Sequence, residues 1–169
     1  REYGKGLLDV SVIRPIVQGG AKVSSTLIRE MIHQGSMDQV TEMLGRPYRL
    51  TGEVVHGLGR GRTIGIPTAN LAPTDRYVIP GNGVYAVDVL IGDERRRGVM
   101  NIGTKPTFAD DPPEPTLEVH VLGFSGDLYG RTVQVEFLTR IREERKFPGV
   151  EALVAQIRLD MEEAARFRR

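Results

Sequence analysis

The run from Gly57 to Asn70 reads Gly-Leu-Gly-Arg-Gly-Arg-Thr-Ile-Gly-Ile-Pro-Thr-Ala-Asn, and its residue types suit phosphate chemistry. Glycines at 57, 59, 61 and 65 let backbone N–H groups approach an anion. Arg60 and Arg62 add charge-assisted donors. Thr68 and Asn70 offer hard oxygen atoms two residues apart, the kind of ligand that Mg²⁺ takes beside waters and substrate phosphates. No G-x-x-x-x-G-K-[ST] loop occurs, so a nucleotide would be held without one. A basic surface turn would use the same glycines for tight bends.

Glu118 is the acid placed best for proton transfer. In Thr116-Leu-Glu-Val-His-Val-Leu122, alternation puts Leu117, Val119 and Val121 on one strand face and Thr116, Glu118 and His120 on the other. A carboxylate among apolar neighbours suits a general base drawing a proton from a hydroxyl. The other reading is the solvated face of an edge strand. His120 could be a second base or a metal ligand, but histidines at 33, 56 and 120 have no metal-ligand spacing, which favours a structural role. Asn101 opens a polar turn, Asn-Ile-Gly-Thr-Lys-Pro-Thr107, able to add donors to a phosphate site. Tyr129 either covers an aromatic ligand or is buried. The charges of Arg142 and Lys146, beside Phe147, either contact a ligand or face water.

The bulk composition leaves any phosphate attraction local. Lys and Arg number 23 against 22 Asp and Glu, so no whole-chain field points to nucleic acid or an anionic membrane. The absence of cysteine excludes disulfides, thiolate zinc sites and a catalytic thiol. No apolar run reaches membrane-spanning length. The expected address is cytoplasmic, and no nucleic-acid or membrane partner is expected.

Three textures must position these residues. Ser24 or Ser25 caps a helix carrying Leu27, Ile28, Met31 and Ile32, stopped by Gly35. Ser36 and Gln39 form a capping box for a second helix with Val40, Met43 and Leu44, ended near Gly45. β-prone segments follow at 50–56, 84–91, 98–102, 116–122 and 132–138, with turn signals between them. They predict an antiparallel barrel or sandwich. The stretch from Gly57 to about Gly83 reads as one long loop, a flap expected to close on ligand. Val150, Leu153, Val154, Ile157 and Met161 predict an amphipathic helix lying on the barrel as core, with Arg158, Asp160, Glu162 and Glu163 outward.

The ordered motifs resemble the riboflavin kinase family. They are Gly59-Arg followed by Gly65-Ile-Pro-Thr-Ala-Asn-Leu71, Gly83-Val-Tyr-Ala86, Gly98-Val-Met-Asn-Ile-Gly-Thr-Lys-Pro-Thr-Phe108, Glu118-Val-His120, Asp127-Leu-Tyr-Gly130 and Arg142-x-Glu-x-x-Phe147. Gly123 and Ser125 stand where the family commonly has acidic residues. Before them, Val23-Ser-Ser-Thr-x-Ile-Arg29 and Leu44-Gly-Arg-Pro-Tyr48 look like the end of the adenylyltransferase module fused to this kinase in bacterial bifunctional FAD synthetases. Tyr3-Gly-Lys-Gly6 resembles a remnant of an earlier loop of that module.

The resemblance implies a mainly β fold, a six-stranded antiparallel Greek-key barrel with a C-terminal helix over residues 46–169, preceded by an incomplete adenylyltransferase tail over residues 1–45. It implies transfer of the ATP γ-phosphate, with Mg²⁺, to the ribityl 5′-hydroxyl of riboflavin, giving FMN. Glu118 falls on the catalytic base. Gly57, Gly59, Arg60, Gly65, Pro67, Thr68, Asn70, Asn101 and Tyr129 fall on the ATP site, and Thr68 and Asn70 on the metal. Arg142, Phe147, Val150 and Glu151 border the flavin. No His-x-Gly-His motif is present, so FAD formation is not expected of the chain as written. The alternatives are part of a complete bifunctional enzyme, or a barrel that binds flavin or nucleotide without catalysis.

Overall fold

In the computed structural model, residues 14–57, 59–104 and 114–167 are described, apart from the side chains of Ala21 and Arg60. Tyr3–Gly6, Leu58 and the Lys105–Phe108 part of the third motif lie outside them. The β-prone segments become β3 (Tyr48–Val55), β5 (Gly83–Ile91), β6 (Glu94–Thr104), β7 (Pro115–Val121) and β8 (Thr132–Arg142). A short hairpin precedes them, β1 (Val17–Gln18) and β2 (Ala21–Lys22), turned by Gly19 and Gly20 at φ +56° and +80°. Positive φ at both turn residues is what a two-residue hairpin of this hand needs.

The Gly57–Gly83 stretch is not one loop. It holds a helical turn, α3 (Arg60–Thr63), and a strand, β4 (Ala69–Pro73). β4 lacks β-branched residues, so alternation does not reveal it; its neighbours on both sides hold it as a strand. All ladders are antiparallel, and the barrel closes in the order β3-β4-β7-β6-β5-β8. β8 returns to lie beside β5 after the β5-β6-β7 meander, a Greek-key connection. The six-stranded barrel implied by the family resemblance is therefore present.

Leu50, Val54, Tyr85, Met100, Val119, Val135 and Phe137 fill the barrel interior. Tyr85 and Phe137 meet edge to face with centroids 5.5 Å apart. Two helices close one side, α1 (Ser25–Gln34) and α2 (Met37–Leu44). Their Ile32, Met37 and Val40 belong to the same core cluster. The Ser24 side chain accepts from the Leu27 amide at 3.3 Å, and Gly35 ends α1 at φ +78°. Ser36 makes no side-chain cap, so the capping box expected with Gln39 does not form.

On the outer face, Glu136 sits directly opposite both Arg49 and Asp88, and Asp88 opposite Arg97. Two opposed carboxylates would repel; Arg49 and Arg95 pair with Glu136, while Arg95 and Arg97 pair with Asp88. The last helix, α4 (Val150–Arg166), lies across β5, β6 and β8. Val84, Ala86, Val99 and Leu138 pack there with Ala164 in a second cluster.

The Tyr85 hydroxyl donates to the Gly81 carbonyl. Burial raises its pKa above the ordinary phenol value, opposed by the nearby Arg140 charge. A raised folded value favours the neutral phenol, so this contribution is intact below about pH 10 and is lost as pH rises through the folded value. The stability gap between wild type and Tyr85→Phe is therefore expected to narrow above about pH 10 in urea titrations. A gap that stays constant from neutral pH into that range contradicts the assignment.

Candidate active site

One cross-strand row organises the site. Asn70 of β4 stands opposite Glu118 of β7, which stands opposite Asn101 of β6. Asn101 faces Val84 of β5, and Val84 faces Arg142 of β8. Five strands thus bring residues from positions 70 to 142 into one line. Inward neighbours Leu117, Val119 and Met100 are buried, which fixes the row on the outer face. A register shift in the β5–β8 ladder lies between Val84 and Tyr85, just where Arg142 meets Val84. Asn101 sits within β6, not in the turn that its sequence suggested, and β7 is an interior barrel strand, not an edge.

Two cavities open on this region, and Thr68 lines both. The first, about 440 Å³, lies at the barrel mouth between Val54, Val119, Val121 and Leu128, with Arg62, Pro67, Asp127 and Tyr129 at its rim. Tyr129 stacks on His56 with ring centroids 3.9 Å apart. The second, about 600 Å³, runs between the outer barrel face and α4. Apolar Ile64, Ile66, Val84, Val99, Leu153 and Ile157 line it. Asn101, Glu118, His120 and Arg142 are its polar groups along the barrel, and Glu118 is half-buried.

The glycine run supports the Thr68–Asn70 segment through close packing. A Cβ at Gly57 would overlap the Asn70 amide, and one at Gly61 would meet the Ile66 carbonyl and fall 3.1 Å from Thr68 Oγ1. Gly59 and Gly65 adopt φ of +67° and +74°, conformations that glycine takes without strain.

Arg142 is held in place from α4. Its Nε lies 2.9 Å from Asp160 Oδ1 and its Nη2 lies 2.8 Å from Oδ2, a two-pronged pairing. Asp160 is 1% exposed and also accepts from Gln156 Nε2 at 2.8 Å. This corrects the expectation that Asp160 faces solvent. The Arg142 and Arg145 guanidinium carbons stand 5.6 and 5.0 Å from the Phe147 ring centre, within cation–π range. Val150, Leu153 and Ile157 face the second cavity, so the α4 stripe is not core alone.

Most of the residues singled out in the sequence converge. Pro67, Thr68 and Tyr129 reach the first cavity; Thr68, Asn101, Glu118, Arg142, Phe147 and Val150 reach the second. Asn70 joins the row without lining either cavity, and Glu151 is exposed on the first turn of α4 and lines neither. Only the backbone of Arg60 is described. Asp160 and Gln156 were missed, because a carboxylate among helical charges gives no sign of a buried partner 18 residues away. Among the described residues no group of three or more His, Cys, Asp or Glu could hold a metal ion. No helix among them is long and apolar enough to cross a membrane.

Comparison with known proteins gives the same frame. The family model for riboflavin kinase (flavokinase) matches residues 44–168. A bifunctional riboflavin kinase/FMN adenylyltransferase of Bacillus subtilis is 39% identical over 98% of this chain and 56% of its own length. A protein of that description from Escherichia coli is 43% identical over 94% of the chain and 49% of its own length. The chain thus spans about half the length of these curated relatives. A solved Streptococcus pneumoniae structure, described as a macrolide-efflux protein, is 42% identical and superposes with a TM-score of 0.87 over 92% of this chain and 51% of its own. The family model covers most of the chain, and the chain belongs to the riboflavin kinase family.

Proposed function

We propose that the chain transfers the γ-phosphate of ATP to the ribityl 5′-hydroxyl of riboflavin, giving FMN and ADP. The observation that carries this reading is the Asn70–Glu118–Asn101 row beside two cavities that share Thr68. The apolar groove under α4 suits a flat ring system, with Phe147 and Val150 against it and Arg142 at its polar side. The barrel-mouth cavity takes the nucleotide beside Tyr129, with its phosphates reaching Thr68 and the glycine run.

The donor set fits a hard cation. Thr68 Oγ1 and the Asn70 amide oxygen are neutral oxygens, and Gly57 and Gly61 leave room for both side chains. Thr68 and Asn70 would hold Mg²⁺ together with phosphate oxygens, and the ion would supply neutralisation of phosphate charge. Alignment of the two substrates supplies most of the remaining effect. Glu118 accepts the 5′-hydroxyl proton as that oxygen forms its bond to the γ-phosphorus. The bond from the γ-phosphorus to the bridging oxygen breaks, and ADP leaves.

Steady-state phosphorylation with each substrate varied tests the division of labour. Thr68→Ala is expected to raise the KM for Mg²⁺–ATP about 10–100-fold. Phe147→Ala is expected to raise the KM for riboflavin roughly fivefold, the effect of losing about 1 kcal/mol of ring packing. If both variants weaken the same substrate, or neither does, the two-cavity assignment is wrong.

We further propose that residues 1–45 are the tail of an adenylyltransferase-like module and residues 46–169 the kinase domain. Similarity to the bifunctional relatives extends over 98% of the chain, whereas the kinase model begins at residue 44. A complete bifunctional protein that also forms FAD is the second reading, favoured by the match of bifunctional relatives to residues ahead of the kinase model.

A further inference from the structure

The β4–β7 ladder stops one residue short of Thr68. Its pairs are Asn70 with Glu118 and Ala69 with Val119; the next would be Thr68 with His120. Thr68 is therefore released from strand pairing just where it lines both cavities. The residue before it is proline, which has no N–H to extend a ladder. Released backbone beside a cavity would be free to drift, and a drift of about 1 Å at a substrate-positioning residue costs about a hundredfold in rate.

A side chain takes over from the ladder. His120 Nδ1 lies 2.7 Å from the Pro67 carbonyl oxygen. A carbonyl oxygen only accepts, so Nδ1 must carry the proton. Thr68 is then pinned on both sides: Ala69 by the ladder to Val119, Pro67 by the imidazole. The tether starts two residues from Glu118, on the same strand and the same face. It therefore fixes the Thr68 turn against the strand that carries the base.

We infer that His120 is a positioning residue that holds the Pro67–Thr68 turn in register with Glu118 and so sets the affinity for the nucleotide. The inference rests on the kinase reading above for the identity of that ligand, but not for the tether itself. The imidazole is not a catalytic group here. It donates from Nδ1 to the main chain, and its effect passes through Thr68.

Two measurements test it. Nitrogen-15 spectra of the wild-type imidazole report the tautomer and need neither a variant nor activity. The Nδ1–H form is expected; an Nε2–H form overturns the tether outright. Steady-state kinetics then compare His120→Leu, His120→Gln and His120→Asn. The asparagine amide places an N–H near the Nδ1 position, whereas glutamine reaches toward Nε2 and leucine donates nothing.

His120→Leu and His120→Gln are expected to raise the KM for Mg²⁺–ATP about 10–100-fold, the usual effect of losing a supporting hydrogen bond behind a ligand-binding group. The KM for riboflavin is expected to rise clearly less, although His120 also borders the second cavity, and His120→Asn to recover most of the loss. A merely structural role would weaken both substrates together and would not favour asparagine over glutamine, and that pattern overturns the proposal. Should wild type form no FMN, the kinase reading falls, and the tautomer still decides the tether.

Discussion

Glu118→Gln is expected to lower kcat for FMN formation by about 10²–10⁴-fold, the range typical of losing a positioned general base. The KM values for riboflavin and Mg²⁺–ATP are expected to change by no more than about threefold, because in the proposed mechanism the carboxylate acts on a proton that moves only as the reaction proceeds. The position of Glu118 makes the expectation specific. Its backbone is held from both sides by β4 and β6, opposite Asn70 and Asn101. Its inward neighbours Leu117 and Val119 are 3% and 1% exposed, so the strand cannot rotate to lend another side chain. Glutamine keeps the shape and removes the proton acceptor, which separates chemistry from packing. Wild-type turnover in that variant removes Glu118 from the mechanism.

Asp160→Ala is expected to cost about 3–5 kcal/mol of stability, because it leaves the Arg142 guanidinium without its carboxylate in a buried setting. The side chain of Arg142 is only 18% exposed, and Asp160 is 1% exposed with Gln156 bonded to it. Replacing Asp160 alone therefore strands a charge, whereas replacing both partners removes it. Asp160→Ala with Arg142→Met is expected to be less destabilised than Asp160→Ala, a sign that only a cycle of variants shows. Urea denaturation measures all four proteins. The single change also frees Arg142 from the side of the groove under α4, the proposed flavin site, and loosens its contact with Phe147. A loss below about 1 kcal/mol would mean that the pair is solvated in solution and does not brace the groove.

These two residues mark how far the sequence reaches. Glu118 could be singled out because Leu117, Val119 and Val121 alternate with it, and alternation is a local property. A second local signal, β-prone residues between turn signals, located β3, β5, β6, β7 and β8 to within a few residues at each end. It failed at β4, where Ala-Asn-Leu-Ala-Pro has little intrinsic strand preference and pairing with β3 and β7 imposes the conformation. Local signals failed at Asp160 for a related reason. Helical spacing placed that carboxylate with exposed Arg158, Glu162 and Glu163, and its burial depends on an arginine from another element.

The row that unites Asn70, Glu118 and Asn101 is a matter of register between distant strands. No window of sequence contains it. Local chemistry alone left the glycine run and Glu118 each with a plain structural alternative. The order of motifs along the chain pointed to the family, and the register shows why residues in that order meet.

The most direct measurement is to incubate the protein with riboflavin, ATP and Mg²⁺ and separate the flavins by chromatography. FMN appearing in step with ADP is the predicted result. Unchanged riboflavin, from protein shown to be folded and to bind the flavin, would contradict phosphoryl transfer and leave a barrel that binds its ligands without joining them.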